Sequence, residues 1–203
     1  MNEPVTVAGK AGSRADAQRN RILCAALKCF IEQGFHAASM ASIAAVAQMS
    51  VGLIYRYFEN KQAIVLAIVE RQLEEKRTLI RQLQSSAQLT DDLVKAFAAW
   101  RVPGPGSMSV ALFLEMSAEA TRNPEIAAAL LRSDALTRAE FQDWLCRSRD
   151  LGGMGMPQEV AATRALSMRL IVDGLTLRAA REPGLDLDQL RQALNVQLGP
   201  LLS

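Results

Sequence analysis

Two consecutive segments of this chain, 40–47 and 51–58, read as helices of about two turns each, "MASIAAVA" behind Ser39 and "VGLIYRYF" behind Ser50. Both serines suit the N-cap position. Helices that short do not survive alone in water, because nucleation costs more than a few hydrogen bonds return. They must therefore be buried against a longer neighbour. One lies directly upstream: Ile22, Leu23, Ala26, Leu27, Phe30 and Ile31 recur at intervals of three and four and form one apolar stripe. Ser13 with Asp16 resembles a capping box, and Gly34 sits where a helix end turns left-handed, so this helix is expected over about 14–33. Residues 14–58 then form a three-helix unit with a tight turn at "AQMS", Ala47 to Ser50, which is a candidate helix-turn-helix.

The rest of the chain is also helical in pattern, and the fold class is all-α with about nine helices. A long helix is expected over about 59–83, with Ile64, Leu66, Ile68, Leu73, Leu79 and Leu83 available for packing. Further helix starts are signalled by Thr90 before Asp91 and Asp92, by Ser107, by Asn123-Pro124-Glu125 and by Pro157. Breaks fall at Val102–Gly106, Leu151–Met156 and Glu182–Gly184. The expected organisation is a flexible arm at 1–13, the helix-turn-helix unit at 14–61 and a larger domain at 62–203.

Charge is uneven along the chain. The net charge of +2 divides into seven Lys/Arg against four Asp/Glu in residues 1–61 and sixteen against seventeen in the remainder. The three cysteines, Cys24, Cys29 and Cys146, have no metal-like spacing and lie on helical stripes, so small core residues are expected rather than redox sensors, in a reduced, cytoplasmic protein. Gln33 to Tyr55 contains no charged residue, yet Gly34, His36, Gln48, Gly52 and three serines argue against a membrane span. A single histidine, His36, expected to be structural, leaves no His/Cys metal cluster and no Ser-His-Asp set, and "GGMGM" lacks a preceding strand. No enzyme, cofactor or metal is expected.

Placed on a helix at about 100° per residue, Ile54 and Phe58 share a face that belongs to a core with Ile43 and Met49, while Gly52, Leu53 and Arg56 face away and Tyr55 and Tyr57 flank the edges. A glycine on an outward face permits close approach of another backbone. Tyrosine hydroxyls suit phosphate oxygens, and Arg56 can reach a phosphate or a guanine edge. Ser50 and the free N–H groups after it offer a phosphate site, and Lys61 a second. The alternative is that Tyr55, Tyr57 and Phe58 form an aromatic core cluster.

The run "GFHAASMASIAAVAQMSVGLIYRYFENKQAI", Gly34 to Ile64, resembles the DNA-binding region of the TetR family of bacterial one-component regulators. The matching positions are Ile43, Ala44, Ser50, Gly52, Ile54, Tyr55, Phe58 and Lys61. "EMSAEATRNPEIAAALL", Glu115 to Leu131, is similar to the C-terminal domain of the subgroup that includes betaine-responsive regulators. The resemblance implies a homodimeric repressor of a pseudo-palindromic double-stranded DNA operator, released by a small-molecule effector. Helix face and resemblance together give the expected DNA contacts as Ser39, Ser50, Val51, Gly52 and Leu53, followed by Tyr55, Arg56, Tyr57 and Lys61. Two positions depart from the family pattern: Gln48 stands where glycine is usual in the turn, and Val51 where lysine is frequent. A helical adaptor that dimerises without specific DNA recognition is the alternative.

Two C-terminal helices carry the expected dimer contact. Val160, Leu166, Met168, Leu170 and Leu175 surround most of the helix after Pro157, and the last helix, capped by Asp186, presents Leu187, Leu190, Leu194, Leu198 and Leu201 as a partner-seeking seam. A monomeric core using both helices internally is the competing reading. For the effector, the resemblance places Phe97, Trp100, Met108 and Phe113 near a cavity, with Met116, Trp144 and Met168. Glu115 and Glu119, four apart, could select a cationic ligand, or could be solvated or paired with Arg122.

Overall fold

The computed structural model describes residues 8–101 and 110–203, with side chains from Arg14 onward. Within them lie nine α-helices and one short 3-10 turn. The described residues divide into two compact units, one ending at Ile68 and the other running from Val69.

The first unit holds α1 (Ala8–Gln33), α2 (Met40–Ala47), α3 (Val51–Tyr55) and the start of α4 (Lys61–Arg81). Because α1 already runs from Ala8, Ser13 lies inside it and is not its cap. Its expected stripe is buried at Ile22, Leu23, Ala26, Leu27 and Phe30, whereas Ile31 is exposed at its edge. Gly34 ends α1 with φ 80° and donates its N–H to Phe30 O at 3.0 Å. Ile43, Ile54 and Phe58 are buried, so the two short helices are anchored as the periodicity requires. Of the cysteines, Cys29 is buried in this unit and burial pushes its thiol pKa up. Cys24 is exposed, contrary to a core role, because its position falls on the outer side of α1.

The turn between α2 and α3 contains the strained position. Gln48 has φ 53° and ψ 47°, while Met49 N–H closes the helix end on Ala44 O at 3.0 Å. A side chain in this region costs about 1 kcal/mol, and Arg21 Nη2 donates to Gln48 Oε1 at 3.3 Å.

The second unit contains the remainder of α4, then α5 (Ser86–Arg101), α6 (Val110–Ala120), α7 (Pro124–Cys146), α8 (Gln158–Arg181) and α9 (Leu187–Leu202). Helix α5 starts one turn before the expected Thr90. Ser85 Oγ accepts from Gln88 N–H at 3.1 Å as its cap, and Thr90 is buried with its hydroxyl 3.2 Å from Asn195 Oδ1. The expected start at Ser107 and most of the break at Val102–Gly106 lie outside the described residues. Asn123 caps α7 through Glu125 and Ile126 N–H, with Pro124 in the first turn, and Asp186 caps α9 through Asp188 and Gln189 N–H.

The core of this unit centres on Phe97, Trp144, Leu145, Ala161 and Met168, closed on one side by Leu190, Leu194 and Leu198 of α9 against α5. The leucine seam of α9 is therefore mostly spent inside the unit. Between α7 and α8 the chain turns tightly. Trp144 Nε1 donates to Gly152 O at 3.1 Å, and a Cβ at Gly153 would meet Arg147 O at 2.1 Å, so glycine is required there. Glu140 of α7 accepts from Arg77 at 2.8 Å and Arg81 at 2.6 Å, both on α4. Burial would push the Glu140 carboxyl up, but these bonds outweigh it and hold its pKa below the usual range.

Replacing Gln48 by glycine relieves the left-handed strain. Gln48→Gly is expected to raise stability by roughly 0.5–1 kcal/mol, measured as a higher thermal midpoint.

Candidate functional site

The surface formed by α2 and α3 is built from its caps outward. Ser39 Oγ accepts from Ser42 N–H at 3.0 Å while Ser42 Oγ accepts from Ser39 N–H at 2.9 Å, a reciprocal capping box. Ser50 Oγ accepts from Leu53 N–H at 3.2 Å. The regular part of α3 ends at Tyr55, short of the expected Phe58. The turn from Arg56 to Phe58 still bonds helically, with Phe58 N–H on Ile54 O at 3.0 Å, so the angular placement of the side chains persists.

On the outer side, Val51 and Arg56 are exposed, Tyr55 is 52% exposed, and a Cβ at Gly52 would meet nothing within 4 Å. Leu53 and Tyr57 are half-buried at the margins. An aromatic core cluster is thus excluded for Tyr55, and only Phe58 is core, with the Arg19 guanidinium 4.5 Å from its ring centroid. His36 packs edge-on against Phe35 at 5.3 Å.

Lys61 has a different place from the one expected. Its ammonium donates to Phe35 O at 2.6 Å, Ala38 O at 2.9 Å and His36 O at 3.1 Å, and stands 4.5 Å from the Phe35 ring centroid. An ammonium has three protons, and these carbonyls engage all of them. In place of a phosphate, Lys61 here holds these carbonyls: it is a clasp that fixes the approach to α2 from the first turn of α4.

A second site is a cavity of about 560 Å³ in the second unit, walled by α4, α6, α7 and α8. Among the residues expected near a cavity, Phe113 and Met116 line it, and Trp100 lines adjoining lobes. Phe97, Trp144 and Met168 do not, because each is almost fully buried in the core. Met108 lies outside the described residues. Glu115 is exposed, and Glu119 pairs with Arg122 at 3.7 Å; neither carboxylate lines the cavity. A cation-selecting pair at these positions is thereby corrected to the plainer reading.

Missed in the sequence were the polar walls Gln72, Lys76, Asp134, Arg169 and Asp173. A signal was available. Val65, Val69, Gln72, Lys76 and Ile80 follow one stripe of α4 at spacings of three and four, which Leu83 continues just past its end, and the two polar residues interrupt an otherwise apolar row. Burial, and then the neighbouring Arg169, push the Lys76 pKa below its usual value against the opposing pull of Asp173, Asp134 and Glu75. The unfolded chain therefore holds this proton more tightly, and stability rises with pH on approach to the ordinary lysine range.

A model of the bacterial regulatory proteins of the tetR family matches residues 22–68, and a model of the BetI-type transcriptional repressor C-terminal region matches residues 90–203. The chain belongs to the TetR family. It is a DNA-binding transcriptional regulator rather than an enzyme, and the adaptor alternative falls with that assignment. The HTH-type transcriptional regulator UidR of Escherichia coli strain K12 is 31% identical over 161 residues, 79% of each chain. Salmonella enterica GusR has a similar structure, with a TM-score of 0.65 and 28% identity over 90% of this chain and 96% of that one. A TetR transcription regulator from Haloarcula marismortui ATCC 43049 shares the fold, with a TM-score of 0.71 at 19% identity over 93% of this chain and all of the other. No helix among the described residues is long and apolar enough to cross a membrane.

Removing the clasp leaves three carbonyls to find other donors. Lys61→Met is expected to destabilise the first unit by about 1–3 kcal/mol, seen as faster amide exchange in α2 and α3 with the second unit unchanged.

Proposed function

We propose that this TetR-family regulator is a repressor that binds a pseudo-palindromic operator as a homodimer and is released by a small molecule held in the cavity of its second unit. The observation that carries the reading is the outer face of α3, where Gly52 is open and Val51, Tyr55 and Arg56 are exposed beside the capped start at Ser50. Gly52 admits the DNA backbone, and the Tyr55 hydroxyl and Ser50 seat the helix on phosphates. Arg56 supplies the base-reading or phosphate-reading cation, and Val51 offers a surface for thymine methyls.

Dimerisation is supported by apolar residues of α8 and α9 that the unit itself does not cover. Leu166 is 45%, Leu170 63% and Val196 75% exposed, and Gly174 and Gly199 have open space around them that permits close helix approach. These residues replace the buried α9 seam as the expected contact. A two-fold pair presents two α3 helices to two half-sites, which multiplies the weak binding of one small unit. The cavity touches α4 at Val69, Gln72 and Lys76. That same helix begins at the Lys61 clasp, so ligand contacts on α4 are a covalently continuous route to the helix-turn-helix.

Two substitutions test the reading. Arg56→Ala is expected to weaken operator binding by roughly 1–3 kcal/mol in a gel-shift titration at fixed salt; an unchanged affinity and footprint would remove its role. Leu170→Glu is expected to convert the dimer to monomer in sedimentation and to abolish operator binding with the helical content intact. A dimer that survives the charge would place the interface elsewhere.

A further inference from the structure

The cavity carries a charge asymmetry that family membership leaves open. Beside its main volume lie a neck of about 50 Å³ and a lobe of about 230 Å³, and Gln72, Lys76 and Arg169 are walls of all three. The outer lobe is largely apolar, with Leu79, Ile80, Leu83, Leu89, Leu93 and Phe141 in its lining. Four carboxylates reach these walls, and each already has a cation. Asp134 pairs with Arg169 at 2.8 Å and Arg138 at 3.0 Å, Asp173 with Arg169 at 2.9 Å, Glu75 with Arg71 at 3.7 Å and Asp92 with Lys95 at 3.3 Å.

The two cations in the lining differ. Arg169 is held by its two aspartates, whereas Lys76 makes no hydrogen bond or ion pair among the described residues, its Nζ standing 6.0 Å from the Phe113 ring centroid. A cationic ligand would have to displace an arginine to reach a carboxylate. An anionic ligand meets an ammonium to which no carboxylate is directly bonded, beside an arginine whose like charge it also relieves. Half-buried and without a hydrogen-bonding partner, this ammonium is incompletely solvated, and an incoming anion improves its surroundings.

We propose that the cavity takes an amphipathic monocarboxylate, its acid group bound by Lys76 and its apolar portion laid along the leucine-lined lobe. This rests on the cavity being the effector site, and the test separates the two claims. The full chain, as wild type, Lys76→Met and Lys76→Arg, is titrated calorimetrically with octanoate, 1-octanol and octyltrimethylammonium, and each mixture is assayed for release of bound operator DNA. Wild type is expected to bind octanoate roughly tenfold to a hundredfold more tightly than octanol, the range of one charge-assisted hydrogen bond. Lys76→Met should lose that preference while keeping octanol, and Lys76→Arg should restore it. If octanol binds as tightly as octanoate in wild type and releases DNA, or if the ammonium compound binds best, the charge assignment is overturned and the effector site stands. A preference for octanoate that persists in Lys76→Met overturns Lys76 as its source. If none of the three binds or releases DNA, both claims fall.

Discussion

Three hydrogen bonds from one ammonium group hold the helix-turn-helix surface in place. Lys61 binds the carbonyls of Phe35, His36 and Ala38, the segment that delivers the chain from α1 into α2. With α2 eight residues long and α3 five, neither helix has intrinsic stability to contribute. Burial of Ile43, Ile54 and Phe58 supplies the apolar anchor, and the clasp supplies direction. Charge-assisted bonds to carbonyls are stronger than neutral ones, which suits a turn whose own backbone bond is Ala38 N–H on Gly34 O at 3.2 Å. The outer residues of α3, among them Val51, Tyr55 and Arg56, then carry no packing duty.

The second unit divides its large residues between filling and lining. Phe97, Trp144 and Met168 complete the core, while Phe113, Met116 and Trp100 border space. Lys76 is the counterpart of that space. On a stripe that only it and Gln72 interrupt among valine, isoleucine and leucine, this lysine has its pKa pushed down by burial and serves no internal ion pair among the described residues. Such local conflict between packing and sequence is characteristic of binding sites.

Helices α8 and α9 show the same division. The α9 leucines at 190, 194 and 198 are consumed by α5, while Val160, Leu166, Leu170 and Val196 stay without cover. Both sets recur at helical spacing, and periodicity alone cannot say which one a partner meets.

The helix-turn-helix was legible because its determinants are local. Caps at Ser39 and Ser50, the glycine at 52 and the buried pair Ile54 and Phe58 lie within some twenty residues, and their geometry follows from helix periodicity. The turn at Gln48 was marked only by the resemblance, in which glycine is usual there, and its left-handed φ of 53° came from the structure. The partners of Lys61, the division of aromatics between core and cavity, and the fate of the α9 seam were not legible. Each depends on contacts between residues distant in the chain, twenty-three or more positions for Lys61 and about one hundred for the α5 to α9 packing that Thr90 and Asn195 mark. By itself, then, the sequence determined that this chain is helical and carries a DNA-reading motif, since short-range capping and periodicity decide both. Tertiary structure alone decided that Lys61 is a clasp and Lys76 an unpaired cation in a cavity, because the role of a lysine is set by the groups that folding places around its ammonium.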